Sequence, residues 1–492
     1  MAVPLLIPRT HDAEKVQRYT YRVVPLWVVL GSVYIAPFYG FNVWVLDVLR
    51  EFGISSLWSQ LQVKIIMAFA LATFIVTLVA AIIAPLLSRF GARSIYLAGI
   101  VTSSAALVAS GQAVAMGSLP SSYAAWAILF GAGAGSAYLV VLTCCVSWFR
   151  RCGAPGHGAG LFGFVMGLWP ALFSYAAPAA VNVVGVANSF YLAAAAVLFI
   201  GVWPALLLCM PEEIPAAPAV GTSSRSPGEV GKKNTEAQDL ESAETASTPS
   251  DFSSIESSER AAEVHREQAP SGMQKSITRT QVLMIPEFWL LWWQVFLATL
   301  PGFGIKYLVA PMMVNIFDAS QAQHAAASCI FLMCYAVTRL AAGLIVGPLM
   351  SARGCLRMLV AFQVLACAGA WGFLSHKSHE SGHQEHHAYE AWIFVALIAC
   401  IGSTLAGIQV MVPLLSLELG GPAGLSVVTG LMLTSYGLAA FLGPIGAWVA
   451  LAADGGPGSS LAVAAWFRAN AAATLLAALL GFVRRQTTAM PQ

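Results

Sequence analysis

The chain has 492 residues, of which 58% are apolar and only 10% charged, with a net charge of +2 and a mean hydropathy of +0.73. Soluble domains carry about 25% charged residues, and here 19 of the 48 charges crowd into Pro211–Pro286, so the other 29 cannot clothe a water-soluble surface. A soluble enzyme, a secreted disulfide scaffold and a nucleic-acid binder, which needs a basic field, are excluded, and the composition is that of an integral membrane protein.

Residues 1–22 contain Asp12 and Glu14 and lack an apolar core. They do not read as a cleaved signal peptide, and they are expected to form a cytoplasmic N-terminal segment. About 20 apolar residues cross the roughly 30 Å of membrane hydrocarbon. Twelve such spans follow, at 23–46, 62–87, 94–116, 122–148, 157–182, 189–210, 287–315, 325–350, 355–375, 391–417, 422–451 and 461–483. Several are rich in Gly and Ala, as close helix packing in lipid favours, and no stretch between them alternates with period two as a barrel strand would. The expected fold is therefore an all-α membrane protein of twelve transmembrane helices.

Its organisation reads as a six-helix bundle at 23–210, a linker at 211–286, a second six-helix bundle at 287–483 and a cytoplasmic tail at 484–492. From Gly221 to Thr280, 18 of 60 residues are Ser or Thr, interleaved with Glu, Ala and Pro. Such a segment buries too little apolar area to offset its ordering entropy, and it is expected to be disordered. It reads either as a plain linker or as a site of serine phosphorylation. With the N-terminus inside, Arg9, Lys15, Arg18, Arg22, Arg89, Arg93, Arg150, Arg151, Arg353, Arg357, Arg484 and Arg485 are cytoplasmic, against Arg50, Lys64 and Lys377 outside. That asymmetry is the one the positive-inside rule requires, and it places both termini in the cytoplasm. The nine cysteines form no C-x-x-C pair and read as small apolar side chains among helices.

Two loops and one pair of spans carry a resemblance. Pro85-Leu-Leu-Ser-Arg-Phe-Gly-Ala-Arg93, between spans two and three, and Gly347-Pro-Leu-Met-Ser-Ala-Arg-Gly354, between spans eight and nine, occupy equivalent places in the two halves. Both resemble the G-x-x-x-D-R-x-G-R-type loop of the major facilitator superfamily, with Ser88 and Ser351 where the acidic residue of its charge latch is expected. Internal repeats of this kind are how such transporters are built. In spans four and five, Gly131-x-Gly133-x-Gly135-x-x-Tyr138 leads to Trp148-Phe149 and then to Gly153, Gly158, Gly163 and Gly167. This resembles the branch of monocarboxylate transporters and the oxalate:formate antiporter, as do Gly31-Ser-Val-Tyr34, Phe41 and Phe52-Gly53-Ile-Ser55. The glycine ladders read either as static packing or as surfaces on which helices rock.

Charges inside apolar spans cost about 2.5–3.5 kcal/mol each on insertion scales, so the few present are informative. Arg339 lies near the middle of span eight. Its guanidinium is a fork that can hold a carboxylate by two parallel bonds, or it is fixed by backbone carbonyls of a neighbouring helix. The resemblance implies the first, because the branch places its substrate-carboxylate arginine at the start of R-x-x-x-G in this span, matched here by Arg339 and Gly343. Lys306 follows Pro301-Gly302-Phe303-Gly304 in span seven, where the Pro-Gly pair is expected to break the helix. It is either a second contact for an anion or a lysine whose head snorkels to the outer surface. Arg468 and Lys64 read as interfacial anchors.

Possible polar wall contacts are Tyr34, Asn42, Tyr138, Gln409 and Tyr436. The resemblance selects Tyr34 and Tyr138 as substrate-binding residues beside Arg339 and Lys306. Span eleven has no Lys or Arg where the antiporter has its second basic residue, which argues against a dicarboxylate such as oxalate. One turn before Arg339, where monocarboxylate transporters place an acid, stands Tyr335, and no Asp or Glu lies deep in a span, so an embedded proton-carrying carboxylate is unsupported. His376, His379, His383, His386 and His387 crowd the outer loop after span nine; they read as a solvated loop, or as a zinc or pH-sensing site.

The expectation is a non-enzymatic secondary transporter, acting as a monomer in the bilayer, that moves a small organic anion, a monocarboxylate, by alternating access in exchange or facilitated diffusion. No cofactor or metal is expected. The alternatives are a larger carboxylate, such as a vitamin or amino-acid derivative, and a transporter-derived nutrient sensor.

Overall fold

The structure, a computed structural model, describes residues 13–38, 48, 51, 60–208, 277–306, 309–346, 348–379, 387–452 and 460–482. Asn42, Phe41, Phe52–Ser55, Gly347, the Ser-rich segment, most of the histidine loop and the side chain of Lys64 lie outside these. Apolar composition drives every long element here into helix, because helix satisfies its own backbone where water is absent. The helices are α1 (Ala13–Arg22), α2 (Val24–Gly31), α3 (Gln60–Ile83), α4 (Ala92–Ala115), α5 (Gly131–Arg151), α6 (Pro155–Val184) and α7 (Val186–Leu207). Past the segment that is not described come α8 (Arg279–Leu283), α9 (Pro286–Lys306), α10 (Val309–Phe317), α11 (Gln321–Ile345) and α12 (Ala352–His379). Ten of the described helical stretches are long and apolar enough to cross a membrane.

One of them, Tyr389–Val449, is 61 residues long, and as continuous helix would run about 90 Å, three times the hydrocarbon thickness. It is two helices. Gly421, at φ 61° and ψ −173°, turns the chain between α13 (387–420) and α14 (422–452), a conformation only glycine adopts without strain, and Pro422 starts the next helix with no N–H to satisfy. The final helix is α15 (Ser460–Phe482).

The first span is interrupted. After α2 the chain turns through Ser32, Val33 and Tyr34 and resumes helix at 35, which leaves backbone carbonyls without their helical donors. Trp169 Nε1 of α6 donates to Val29 O at 2.5 Å, and the Tyr96 hydroxyl of α4 donates to Gly31 O at 3.2 Å. α1 is a further element, not read from the sequence. It docks by burying Val16 and Tyr19, with the Tyr19 ring 4.7 Å from Trp148 and its hydroxyl on Leu207 O.

The glycine ladders do two different jobs. On α5, Gly131 and Gly135 take up the backbone of α3, and Gly133 that of α4; a Cβ on Gly133 would stand 2.6 Å from Ser103 N and 2.7 Å from Gly99 O. That is packing inside the first group of helices. On α6, Gly156, Gly160, Gly163 and Gly167 recur every three to four residues on one face, and they meet α11, a helix from beyond the linker. Cβ atoms there would lie 2.5 Å from Gly343 O, 2.9 Å from Gly343 Cα, 3.0 Å from Arg339 Cβ and 2.7 Å from Ala336 Cβ. A matching seam joins α3 to α14, where Gly430 sits against Ala84 and Ala80, Gly437 against Thr77, and Phe74 against Phe441 at 5.8 Å.

The repeated loops end these seams differently. In the first, Gly91 makes the turn at φ 76°, and the Ser88 hydroxyl is spent on Pro85 O at 3.0 Å. In the second, Ser351 Oγ accepts from Gly354 N, while Arg353 pairs with Glu287 at 2.5 Å and Glu418 at 3.0 Å. The acids of that charge cluster come from the ends of α9 and α13 rather than from the loop. Arg279 of α8 donates to Ala81 O and Ile82 O at 2.6 and 2.5 Å, closing the carbonyl end of α3. No disulfide joins the described cysteines.

Gly133→Ala and Gly343→Ala therefore separate the two roles. Gly133→Ala overpacks a static contact and is expected to cost about 1–3 kcal/mol of stability, read as a lower melting temperature in detergent. Gly343→Ala is expected to spread the α6–α11 seam, read as faster amide exchange over 156–167 with a smaller loss of melting temperature.

Candidate functional site

α11 begins at a capping box. Ser320 Oγ accepts from Gln323 N, and Gln323 Oε1 accepts from Ser320 N at 2.8 Å. From that start, Phe331, Tyr335 and Arg339 fall at i, i+4 and i+8 on one face. Gly402 of α13 admits the Phe331 ring, which stacks on Tyr335 at 6.3 Å and 15°.

Arg339 is buried, with 3% of its surface exposed, and so is Tyr335. The guanidinium carbon stands 4.2 Å from the centre of the Tyr335 ring, a cation–π contact that gains strength out of water. Nη2 donates to the Tyr335 hydroxyl and to Gln409 Oε1, and the Tyr335 hydroxyl itself donates to Gln409 Oε1. Nη1 reaches across the seam to Gly163 O of α6 at 3.1 Å. That carbonyl is approachable because glycine, with no side chain, brings the α6 backbone close. Arg339 Nε is buried with no hydrogen-bond partner. Among the described residues no carboxylate pairs with Arg339, and the acids of the packed helices are engaged elsewhere, Glu287 and Glu418 with Arg353 and Glu390 with Lys377. The centre holds a full positive charge solvated by neutral oxygens and one aromatic face.

Lys306 ends α9 with its ammonium 4.8 Å from the same Tyr335 ring, its nitrogen buried. Its head turns inward rather than to the outer surface. The expected break at Pro301-Gly302 is absent, because helix continues through both residues to Lys306. The glycines serve packing instead. A Cβ on Gly302 would meet Leu405 of α13 at 2.7 Å, and one on Gly304 would meet Trp466 of α15 at 2.4 Å and Gly443 O of α14 at 3.0 Å. Neighbouring helices thus hold the stretch helical in spite of its composition.

Tyr138 of α5, partly buried and edge-on to Phe162 at 5.1 Å, lies within electrostatic reach of Arg339. So does Tyr436 of α14, whose hydroxyl donates to Ile408 O at 3.0 Å. The structure thus brings together Arg339, Lys306 and Tyr138 of the four selected residues. Tyr34 is fully buried at the interruption of the first span. Arg468 is exposed, as an interfacial anchor is.

Gln409, one of the possible wall contacts in the sequence, and Tyr335, noted there only as standing where an acid is expected, are the partners of Arg339 that the sequence did not select. The i, i+4 spacing to Arg339 was a signal for Tyr335. For Gln409 the only signal was an amide in an apolar span, since its pairing depends on the register of α13 against α11. No group of side chains able to hold a metal ion occurs among the described residues.

The family model of the Major Facilitator Superfamily matches residues 26–444. Among solved structures, the chain is similar to the human organic anion transporter MFSD10 (TETRAN), at 15% identity and a TM-score of 0.55, covering 94% of this chain and 99% of that one. It is similar to the transporter FucP in its outward conformation, at 12% identity and 0.53, over 93% and 99% of the two chains. The proton:xylose symporter XylE bound to 6-bromo-6-deoxy-D-glucose matches at 12% identity and 0.58, over 94% and 95%. At these identities the likeness concerns the fold. No curated protein matches the chain by sequence. An all-α, multi-pass membrane protein with this fold and this family match belongs to the major facilitator superfamily of secondary transporters, a family that is not enzymatic.

Proposed function

We propose that the chain carries a small organic anion, a monocarboxylate, across the membrane by alternating access, with both termini cytoplasmic and one chain sufficing. The observation that carries this reading is Arg339, a buried guanidinium at the seam between α6 and α11 whose partners are all neutral. A buried charge without a counter-charge is costly, and a carboxylate arriving between the helices removes that cost while filling the fork. Arg339-x-x-x-Gly343 also supports placing the chain in the branch of monocarboxylate transporters and the oxalate:formate antiporter. There the glycine has a physical role, since it lets α11 touch α6 beside the arginine.

In this reading Arg339 holds the carboxylate. Lys306, on the other cation contact of the Tyr335 ring, adds positive potential from the α9 side. Tyr138 adds a hydroxyl from α5, and Tyr34 adds one from the interrupted first span. The glycine seams let the halves rock with little side-chain repacking.

Uptake of labelled pyruvate, lactate and formate into proteoliposomes tests this. Native protein is expected to give saturable uptake of at least one of them. Arg339→Ala is expected to abolish it, and Arg339→Lys to lower kcat/KM by about 10- to 100-fold, the worth of the lost second charged bond. Folded native protein that moves none of the three would exclude small monocarboxylates, and would turn attention to larger carboxylates or to sensing without flux. Lys306→Gln is expected to raise KM by about tenfold with kcat largely kept, as removal of a binding charge does; an unchanged KM would remove Lys306 from the site.

A further inference from the structure

Among the described residues every acceptor of the guanidinium is neutral, and one of them collects two bonds. Gln409 Oε1 receives both Arg339 Nη2 and the Tyr335 hydroxyl, so it fixes the orientation of both α11 groups. Its backbone is anchored next door, where Ile408 O accepts from Tyr436 of α14. Glutamate has the same reach and shape as glutamine, and it would put a negative charge on the same two donors. Among the described residues, the side chains gathered around Arg339 and Tyr335 include Gln409, Lys306, Tyr138 and Tyr436, and none of these is an acid. α3 to α7 contain no Asp or Glu at all.

We propose that Gln409 sets the mode of transport: by holding Arg339 through a neutral oxygen it leaves the counter-charge to the cargo, so that anion moves by one-for-one exchange rather than alone. This rests on the organic-anion reading above and chooses between its two modes. A guanidinium cannot shed its proton. Alternating access passes through a state in which water is withdrawn from the centre, and there a bare cation is disfavoured while a cation paired with its cargo is not. The loaded carrier therefore reorients readily and the empty one does not. Exchange of one anion for another is the cycle that never requires the empty return. Gln409 is a positioning residue in this scheme, acting through Arg339.

The test compares native protein with Gln409→Glu and Gln409→Met in proteoliposomes, with and without unlabelled anion inside. Native uptake is expected to rise about tenfold or more with internal anion, and Gln409→Met, neutral and of similar length, is expected to keep that ratio at a higher KM. In Gln409→Glu the ratio falls towards one, because the carboxylate gives Arg339 a counter-charge in the empty carrier. Its uptake also increases as pH falls, since protonating Glu frees Arg339 for the cargo. Amide hydrogen exchange over 156–167 and 336–343, measured without any anion, supplies a readout that does not depend on the choice of cargo. Gln409→Glu is expected to speed it, as the empty carrier cycles, while native and Gln409→Met remain slow. A Gln409→Glu protein that keeps the native ratio, or equal amide exchange in all three proteins, overturns the proposal. If native protein moves no anion tested, the organic-anion reading fails on that arm, and the exchange comparison still decides the role of Gln409.

Discussion

A buried guanidinium with no counter-charge among the described residues organises the centre of this molecule. Arg339 touches the Tyr335 ring, a tyrosine hydroxyl, an amide oxygen and a backbone carbonyl, and these together solvate a guanidinium without neutralising it. Membrane insertion alone charges several kcal/mol for such a group. The surrounding helices are arranged to lower that cost. α11 offers Tyr335 one turn away, α13 supplies Gln409, and α6 comes near enough for Gly163 to present its carbonyl. Remove any of these and the charge loses part of its shell; supply an anion and the shell is completed.

Close approach of backbones is the second constraint, and it follows from the first. Gly163 can reach Arg339 only because Gly156, Gly160 and Gly167 bring α6 against α11 along its length. The α3–α14 seam repeats the device with Gly430 and Gly437 on the other partner, so that each half contributes the glycine-bearing helix to one seam. Seams with few interlocking side chains present a small barrier to sliding. Polar clasps lie at one end of the helices: Arg279 caps the last carbonyls of α3, and Arg353 ties α12 to α9 and α13 through Glu287 and Glu418. Such clasps are partly exposed and individually weak, as elements that must open and close in every cycle should be.

Much of this was legible in the sequence, for a physical reason. Exclusion of water acts on composition, so helices long enough to cross the bilayer declare themselves by hydropathy alone, and Arg339 stands out because an arginine at mid-span has no cheap explanation. What stayed hidden depends on neighbours. The ladders of α5 and α6 look alike as strings of glycine, yet one packs within a group of helices and the other forms a seam across the linker. Pro301 and Gly302 carry the composition of a break, but Leu405, Trp466 and Gly443 fill the space a break would have opened. Lys306 fits a snorkelling head and an anion contact equally in the sequence, and what separates them is the Tyr335 ring of another helix. The partnership of Gln409 with Arg339 spans 70 residues, and no local pattern announces it.

The account's central claim is that the cargo's negative charge completes the shell of Arg339. Its most direct measurement is equilibrium binding to purified protein of a carboxylate and of its neutral amide, pyruvate against pyruvamide, in native and Arg339→Ala chains. The account predicts saturable binding of the acid, at one per chain, with little binding of the amide and none by Arg339→Ala. Equal affinity for acid and amide, or acid binding that survives the loss of the guanidinium, would contradict it.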